Sequence, residues 1–180
     1  YRFIGPPLHE SYEKFYSFSR EQAMQAVSYY REYYEEKGMF ENEVYPGIKE
    51  LLRVLTKQGV LCLVATSKPE IYAKKILDYY ELSNYFYYIA GANMDGTRTD
   101  KAEVIAYALK QIPAEYNNKK VLMVGDRSHD IIGAKKNGID CAGVLFGYGS
   151  REELEEAGAD FIADSVEAVR NIVFLNTAKN

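Results

Sequence analysis

VLMVGDRSHDIIGAKKNG, Val121 to Gly138, is the stretch on which the reading of this chain turns. Four apolar residues read as a buried strand. At Gly125-Asp126 the run stops and a helical pattern starts, with Ile131, Ile132 and Ala134 apolar, Lys135 and Lys136 in the last turn, and Gly138 to close it. Asp126 then stands at the carboxyl end of a strand and Asp130 at the mouth of the next helix, which is where open α/β sheets bind ligands. Two carboxylates in such a crevice repel unless a cation lies nearby, and a hard, oxygen-preferring ion such as Mg²⁺ suits them. The same pair also fits a turn-former and a complement to a helix dipole, so these residues alone leave both readings open.

Outward from this stretch the chain alternates regularly. The pattern predicts a helix over about Ile48 to Lys57 ending near Gly59, a strand Val60 to Ala65, and a helix from about Pro69 to Tyr79. Further strands are predicted at Tyr87 to Ala90, Val121 to Val124, Cys141 to Leu145 and Phe161 to Ala163, with Asp100, Ser128, Ser150 and Ser165 as helix N-caps. Strand and helix in turn, with short connections, make a parallel sheet covered on both faces: an α/β, Rossmann-like, doubly wound core. Before it, residues 1–43 read as a small helical unit, with a boundary at Glu41-Asn42-Glu43 and the core over residues 44–180. Leu8 to Phe18 forms one helix there. Ser19 caps a second with Gln22 as its box partner, and Gly38 lies just past its end. The stripe Met24, Val27, Tyr30 and Tyr34 predicts helix–helix packing, or else a roof over a substrate pocket.

In such a sheet the chemistry gathers at strand ends. Thr66-Ser67-Lys68-Pro69 puts two hydroxyls at a helix N-terminus, where side-chain OH and free backbone N–H groups hold an anion. A capping box of Ser67 with Glu70 accounts for Ser67 equally well and leaves Thr66 unexplained. Lys101 lies in the first turn of a helix, against the dipole, and a phosphate there would remove the conflict; a solvated surface lysine is the other reading. Gly147-Tyr148-Gly149-Ser150 is half of a dinucleotide fingerprint, but Glu152-Glu153 occupies the place of the third glycine. It reads as a glycine turn with a Ser150/Glu153 capping box, not an NAD site. A hydroxyl, a lysine and an acidic pair thus occur in order at successive strand ends, a set suited to a phosphate and its metal ion.

The whole-chain bounds agree. At 180 residues, 47% hydrophobic and 27% charged, the chain supports one core and a small accessory unit. A net charge of −4 with scattered basic residues gives no support to nucleic-acid binding. No apolar run reaches the roughly 18 residues that a membrane span needs. No signal peptide is legible, and Cys62 and Cys141 both fall in predicted buried strands, so a reducing cytoplasm is the expected compartment.

With these motifs placed, the chain resembles the haloacid-dehalogenase-like phosphatases, in their phosphoglycolate-phosphatase-like branch with a helical cap. Val64-Ala65-Thr66-Ser67 looks like that family's strand-ending Thr/Ser motif, Lys101 like its phosphate-binding lysine, and Gly125-Asp126 with Asp130 like its acidic metal motif. Phe3-Ile4-Gly5-Pro6-Pro7-Leu8 resembles the entry to the cap and Tyr45-Pro46-Gly47 the return from it. The resemblance implies a Mg²⁺-dependent phosphomonoesterase acting on a small phosphorylated metabolite or nucleotide, as a monomer or homodimer. Thr66, Ser67 and Lys101 would bind phosphoryl oxygens, Asp126 would ligate the ion, and Asp130 would ligate it or orient its waters.

The family's first motif, an Asp-x-Asp-Gly-Thr segment bearing the nucleophile and the acid/base, has no counterpart here. Met94-Asp95-Gly96-Thr97 imitates it, but Asn93 stands at the nucleophile's place and an amide forms no acyl phosphate. The expectation is therefore a piece of a longer enzyme, inactive alone and poorly stable without that central strand. A 5'-nucleotidase, a phosphosugar mutase and a non-catalytic binding protein are the alternatives on the same scaffold. A signalling receiver fits less well, because there the acids precede the Thr and Lys.

Overall fold

The structure is a computed structural model and describes residues 8–177; Phe3 to Pro7 of the predicted cap entry lies outside the described residues. The chain divides into two compact units, residues 1–43 and 44–180.

In the first unit α1 (Leu8–Tyr16) packs along α2 (Arg20–Glu36). The predicted capping box forms: Ser19 Oγ accepts from Gln22 N at 3.2 Å, and Ser19 N donates to Gln22 Oε1 at 2.9 Å. The buried line along α2 is Ala23 and Val27; of the predicted stripe Val27 is buried and Tyr34 half-buried, but Met24 is 47% exposed and Tyr30 37%. Ala23 and Val27, at i and i+4, lie one above the other on that face of the helix. Tyr30 and Tyr34 stack there with ring centroids 5.3 Å apart.

The second unit contains α3 (Ile48–Lys57), β1 (Leu63–Pro69), α4 (Glu70–Tyr79), β2 (Tyr88–Ala92) and α5 (Lys101–Leu109). It continues through β3 (Leu122–Gly125), α6 (Ser128–Lys136), β4 (Asp140–Val144), α7 (Arg151–Glu156), β5 (Phe161–Ala163) and α8 (Val166–Thr177). All strand pairs are parallel, in two sheets ordered β1-β2 and β3-β4-β5. The period of two along a strand settles which face each residue serves. From β4 and β5, Val144 and Ala163 pack with Leu51, Leu55 and Val169 of α3 and α8. Cys141 and Ile162 pack on the opposite face with Ile131, Ala134 and Leu154 of α6 and α7. A third cluster joins Ala90, Val104 and Ala108 between β2 and α5. The β3-β4-β5 sheet is thus covered on both faces, as the alternation requires.

Two boundaries differ from expectation. β1 runs through Thr66, Ser67 and Lys68 to Pro69, so Cys62 precedes the strand and only Cys141 is a buried strand residue. β2 likewise extends through Gly91 to Ala92. Thr66, Ser67 and Lys68 enter β1 at an irregularity in its register, between the pairs Ala65–Ala90 and Pro69–Ala92, with Pro69 at the very end, where a missing N–H costs least. Among the described residues no helix is long and apolar enough to cross a membrane.

Asp160 ties β4 to β5. Its carboxylate accepts from Cys141 N at 2.9 Å and from the Lys135 ammonium at 2.5 Å. The Lys135 bond, followed by the Cys141 contacts, outweighs desolvation and holds the Asp160 carboxyl below its usual range. A depressed folded pKa gives stability that is present above the unfolded carboxylate value, about 4, and is lost as pH falls through the folded one. The urea midpoint therefore drops between pH 6 and pH 3, and drops less steeply in Asp160→Asn. Equal slopes would remove this contact from the acid response.

Candidate functional site

Lys101, the first residue of α5, sits where the carboxyl ends of the two sheets come together. Its Nζ lies 2.8 Å from Asp130 Oδ1 and donates to the Ala65 carbonyl of β1 at 3.3 Å. Both side chains are largely buried, Lys101 16% and Asp130 8% exposed. Close packing of α5 on α6 makes this reach possible: a Cβ at Gly133 would come within 3.0 Å of Lys101 Cγ. Asp100 caps α5, accepting from Ala102 N and Glu103 N. The dipole conflict read from the sequence is therefore met by two carboxylates, Asp100 at the helix end and Asp130 on the ammonium.

Asp130 does more than complement a dipole. Its Oδ2 accepts from the backbone N–H groups of Asp126 and Arg127, at 3.1 and 3.2 Å. This carboxylate, not Ser128 as predicted, dresses the start of α6, and Gly125 is obligatory because its Cβ would fall 2.3 Å from Asp130 Cβ. With one oxygen on Lys101 and the other on two amides, Asp130 is a brace between β1, α5 and the β3–α6 turn.

Asp126 is held differently. The turn after β4 wraps it: Tyr148 N donates to Asp126 Oδ2 at 2.8 Å, and Gly149 N donates to the Asp126 carbonyl at 2.9 Å. A Cβ on Gly147 would lie 2.3 Å from Asp126 Cβ, and one on Gly149 2.2 Å from the Asp126 carbonyl oxygen. The glycine turn that looked like half of a dinucleotide fingerprint is the cradle of this aspartate. Sequence reading missed that role, although Gly-x-Gly directly after a strand was the available signal. The predicted Ser150/Glu153 box is only half formed. Ser150 Oγ accepts from Glu153 N at 3.1 Å, but the Glu153 carboxylate bonds Ser128 N at 2.8 Å and Arg127 Nε at 2.9 Å. Burial alone would raise the Glu153 carboxyl, yet these two donors prevail and lower it. Tyr45 also borders this turn, with its ring edge-on to Phe146 at 5.4 Å. Its phenol is pushed up by burial, then by Tyr148 and by the Asp126 charge.

Thr66 follows Ala65, the residue whose carbonyl receives Lys101. Its Oγ1 accepts from Lys68 N at 3.1 Å, which leaves its own O–H to donate. Ser67 comes next in β1 and makes no capping box, for α4 begins with Pro69 as N-cap and no side-chain cap. Glu70 is engaged elsewhere, by Lys74 at 2.7 Å and Arg98 at 3.2 Å. The structure thus joins Lys101, Asp130 and the Asp126 turn in one hydrogen-bonded unit, and sets Thr66 and Ser67 in the same strand end. Asn93 and Thr97 of the imitation motif bond each other in an exposed turn after β2, Asn93 Nδ2 to Thr97 Oγ1 at 2.8 Å. A pocket of about 440 Å³ flanks that turn, but its cations, Lys74 and Arg98, are both paired to Glu70.

Among the described residues no three His, Cys, Asp or Glu side chains converge to hold a metal. Mg²⁺ needs fewer, since it keeps several waters and takes one or two carboxylates together with a substrate phosphate. Asp126 fits that demand. Its Oδ2 is fixed by Tyr148 N, whereas its Oδ1 accepts no hydrogen bond among the described residues.

A family model described as haloacid dehalogenase-like hydrolase matches residues 1–144. The chain is 39% identical over 173 residues to a 5'-nucleotidase from Pseudomonas aeruginosa, covering 95% of this chain and 76% of that protein. It superposes on the crystal structure of a predicted phosphatase from Clostridium acetobutylicum with TM-score 0.87 and 43% identity, covering 96% of this chain and 79% of that one. The Mycobacterium tuberculosis protein tyrosine kinase A, PtkA, matches with TM-score 0.79 and 36% identity, over 96% of this chain and 79% of that one.

Proposed function

The chain belongs to the haloacid dehalogenase-like hydrolases, and from that premise we propose that its α/β unit is the phosphate- and Mg²⁺-binding body of a phosphomonoester phosphatase. The observation that carries this reading is the Lys101 ammonium, drawn 2.8 Å from Asp130 and 3.3 Å from the Ala65 carbonyl. It places a buried cation between the strand end bearing Thr66 and the turn bearing Asp126.

In this reading Lys101 and the Thr66 hydroxyl bind the oxygens of the transferring phosphoryl group, with Ser67 N–H beside them. Asp126 would hold Mg²⁺, and Asp130 keeps Lys101 and the Asp126 turn in register. The bound ion would offset the negative charge of the phosphate. Fixed charges of this kind are what the reaction needs, because phosphomonoester hydrolysis calls for accelerations up to ~10²¹-fold. The nucleophilic carboxylate would come from a further parallel strand between β1 and β3. Two features support such a place: β1 and β3 each pair on one side only among the described residues, and Val124 in mid-β3 is 40% exposed. Parallel strands are ordinarily buried on both faces. The helical unit, residues 1–43, is proposed as the cap.

Two substrate classes lead. Phosphoglycolate follows from the branch that the motifs resemble, and nucleoside monophosphates from the likeness to the Pseudomonas nucleotidase. The test is phosphate release from a panel of phosphoglycolate, nucleoside monophosphates and sugar phosphates, by a form carrying the Asp-bearing strand and by residues 1–180 alone. The strand-bearing form releases phosphate, EDTA abolishes the release, and residues 1–180 bind phosphate without turnover. A folded strand-bearing form that binds Mg²⁺ yet hydrolyses nothing would leave a non-catalytic binding protein.

A further inference from the structure

We infer that Arg98 is a positioning residue: a latch that fixes the β2–α5 loop and thereby sets Lys101. The inference rests on the phosphate-binding role of Lys101 proposed above. Eight residues, 93–100, lead from β2 to α5, and Arg98 is the one among them that is not exposed. It holds an uncommon backbone conformation, φ +52°, which an L side chain adopts at a cost and keeps only where its surroundings insist.

Its surroundings do. The guanidinium lies over Tyr107, with Cζ 3.7 Å from the ring centroid. Nε donates to the Gly91 carbonyl at 2.8 Å, and a second nitrogen donates to Glu70 Oε2 at 3.2 Å. One planar group therefore ties the loop to the end of β2, the first turn of α4 and the body of α5. The receiving parts are themselves rigid. Tyr107 and Tyr88 share a hydrogen bond of 2.8 Å, which is the main reason the Tyr88 phenol is pushed up to about 12. Gly91 lies so close to α4 that a Cβ there would come within 2.5 Å of Glu70 Cα. A lysine would supply the charge but not the fork or the flat face.

Two residues, Thr99 and Asp100, separate the latch from Lys101, and Asp100 caps α5. The remainder of the loop offers little other anchorage: Asn93 to Thr97 is an exposed turn closed on itself, Asn93 N donating to the Thr97 carbonyl at 3.1 Å. The body of α5 is pinned independently by Val104, Ile105 and Ala108. Loss of the latch therefore frees the loop and loosens the Asp100 cap on the first helical turn, which Lys101 opens, while the bond from Asn137 Nδ2 to the Ala102 carbonyl and the rest of α5 stay in place.

The test compares Arg98→Met, Arg98→Lys and Arg98→Gly with the unaltered chain, well below its melting temperature. In Arg98→Met the amides of Ala102 and Glu103 exchange at least tenfold faster, while those of Leu154 and Val169 do not change. Affinity for inorganic phosphate falls about tenfold in Arg98→Met and in Arg98→Gly, N-ethylguanidinium restores it in Arg98→Gly, where the missing side chain leaves room, and Arg98→Lys does not keep it. Arg98→Gly relieves the φ of +52° and would raise the melting temperature if the backbone alone mattered; it lowers it instead. Unchanged local exchange, a uniform rise in exchange across the fold, or a melting temperature raised by Arg98→Gly would each overturn the inference. If the unaltered chain binds no phosphate, the phosphatase reading fails, and the exchange and melting measurements still decide the latch.

Discussion

Lys101→Ala lowers the free energy of unfolding by about 3 kcal/mol and, in a form bearing the nucleophile strand, lowers turnover by roughly 10³-fold. The motif pattern by itself predicts damage to turnover far greater than damage to folding. The structure adds a folding cost to that expectation, because Lys101 is also the partner of a buried carboxylate. Its partner Asp130 is buried, and removal of the ammonium strands a charge where water cannot replace the lost interaction. Breaking one side of a buried pair costs about 3–5 kcal/mol. The lower end applies here, since two backbone N–H groups still serve Asp130 Oδ2. A double-mutant cycle separates the contributions. Lys101→Met and Asp130→Asn each destabilise, and the double variant loses at least about 1 kcal/mol less than the sum. Additivity within about 0.5 kcal/mol, the behaviour of independent sites, would show that the pair is not coupled. Turnover tells a different story: the double variant stays as slow as Lys101→Met, because an uncharged side chain gives the phosphoryl oxygens nothing to bind.

The same contact shows where the sequence was informative. The strand-to-helix switch at Gly125-Asp126, the Asp100 cap and the box at Ser19 are local patterns, readable because each is settled by a few consecutive residues. The order Thr66, Lys101, Asp126 was enough to expect these residues at neighbouring strand ends, because successive strand ends of a parallel sheet fall on one edge. What escaped depends on partners remote in sequence. Glu70 looks like the box partner of Ser67 until Arg98, 28 residues away, takes its carboxylate. Glu153 looks like the box partner of Ser150 until Ser128 and Arg127 claim it. In both cases a carboxylate chose a distant donor at a strand end over the nearby orphan N–H, and no spacing rule announces that choice. The division into two parallel sheets was equally unreadable from the alternation, which counts strands but does not pair them.

Gly147→Ala is the substitution expected to do most harm for the fewest atoms. The new methyl would occupy the position of the Asp126 side chain, 2.3 Å from its Cβ and 2.5 Å from Oδ2. Neither can yield alone. Asp126 is fixed at its carbonyl by Gly149 N and at Oδ2 by Tyr148 N, and the turn is fixed by those same bonds. Overpacking costs about 1–3 kcal/mol, and each hydrogen bond lost adds about 1 kcal/mol, so a destabilisation of about 3 kcal/mol is expected. Because Asp126 must turn away, Mg²⁺ affinity should fall at least tenfold, as when the support of a ligand is removed. Gly138→Ala is the comparison that isolates the cause. That glycine has φ +67° and nothing within 4 Å of the methyl that alanine would add, so its variant carries backbone strain alone, about 1 kcal/mol, with Mg²⁺ binding intact. Urea unfolding and calorimetric Mg²⁺ titration of the two variants side by side make the decision. Equal losses of stability, or a Gly147→Ala protein that binds Mg²⁺ as before, would mean that the turn after β4 does not hold Asp126 for the proposed ion.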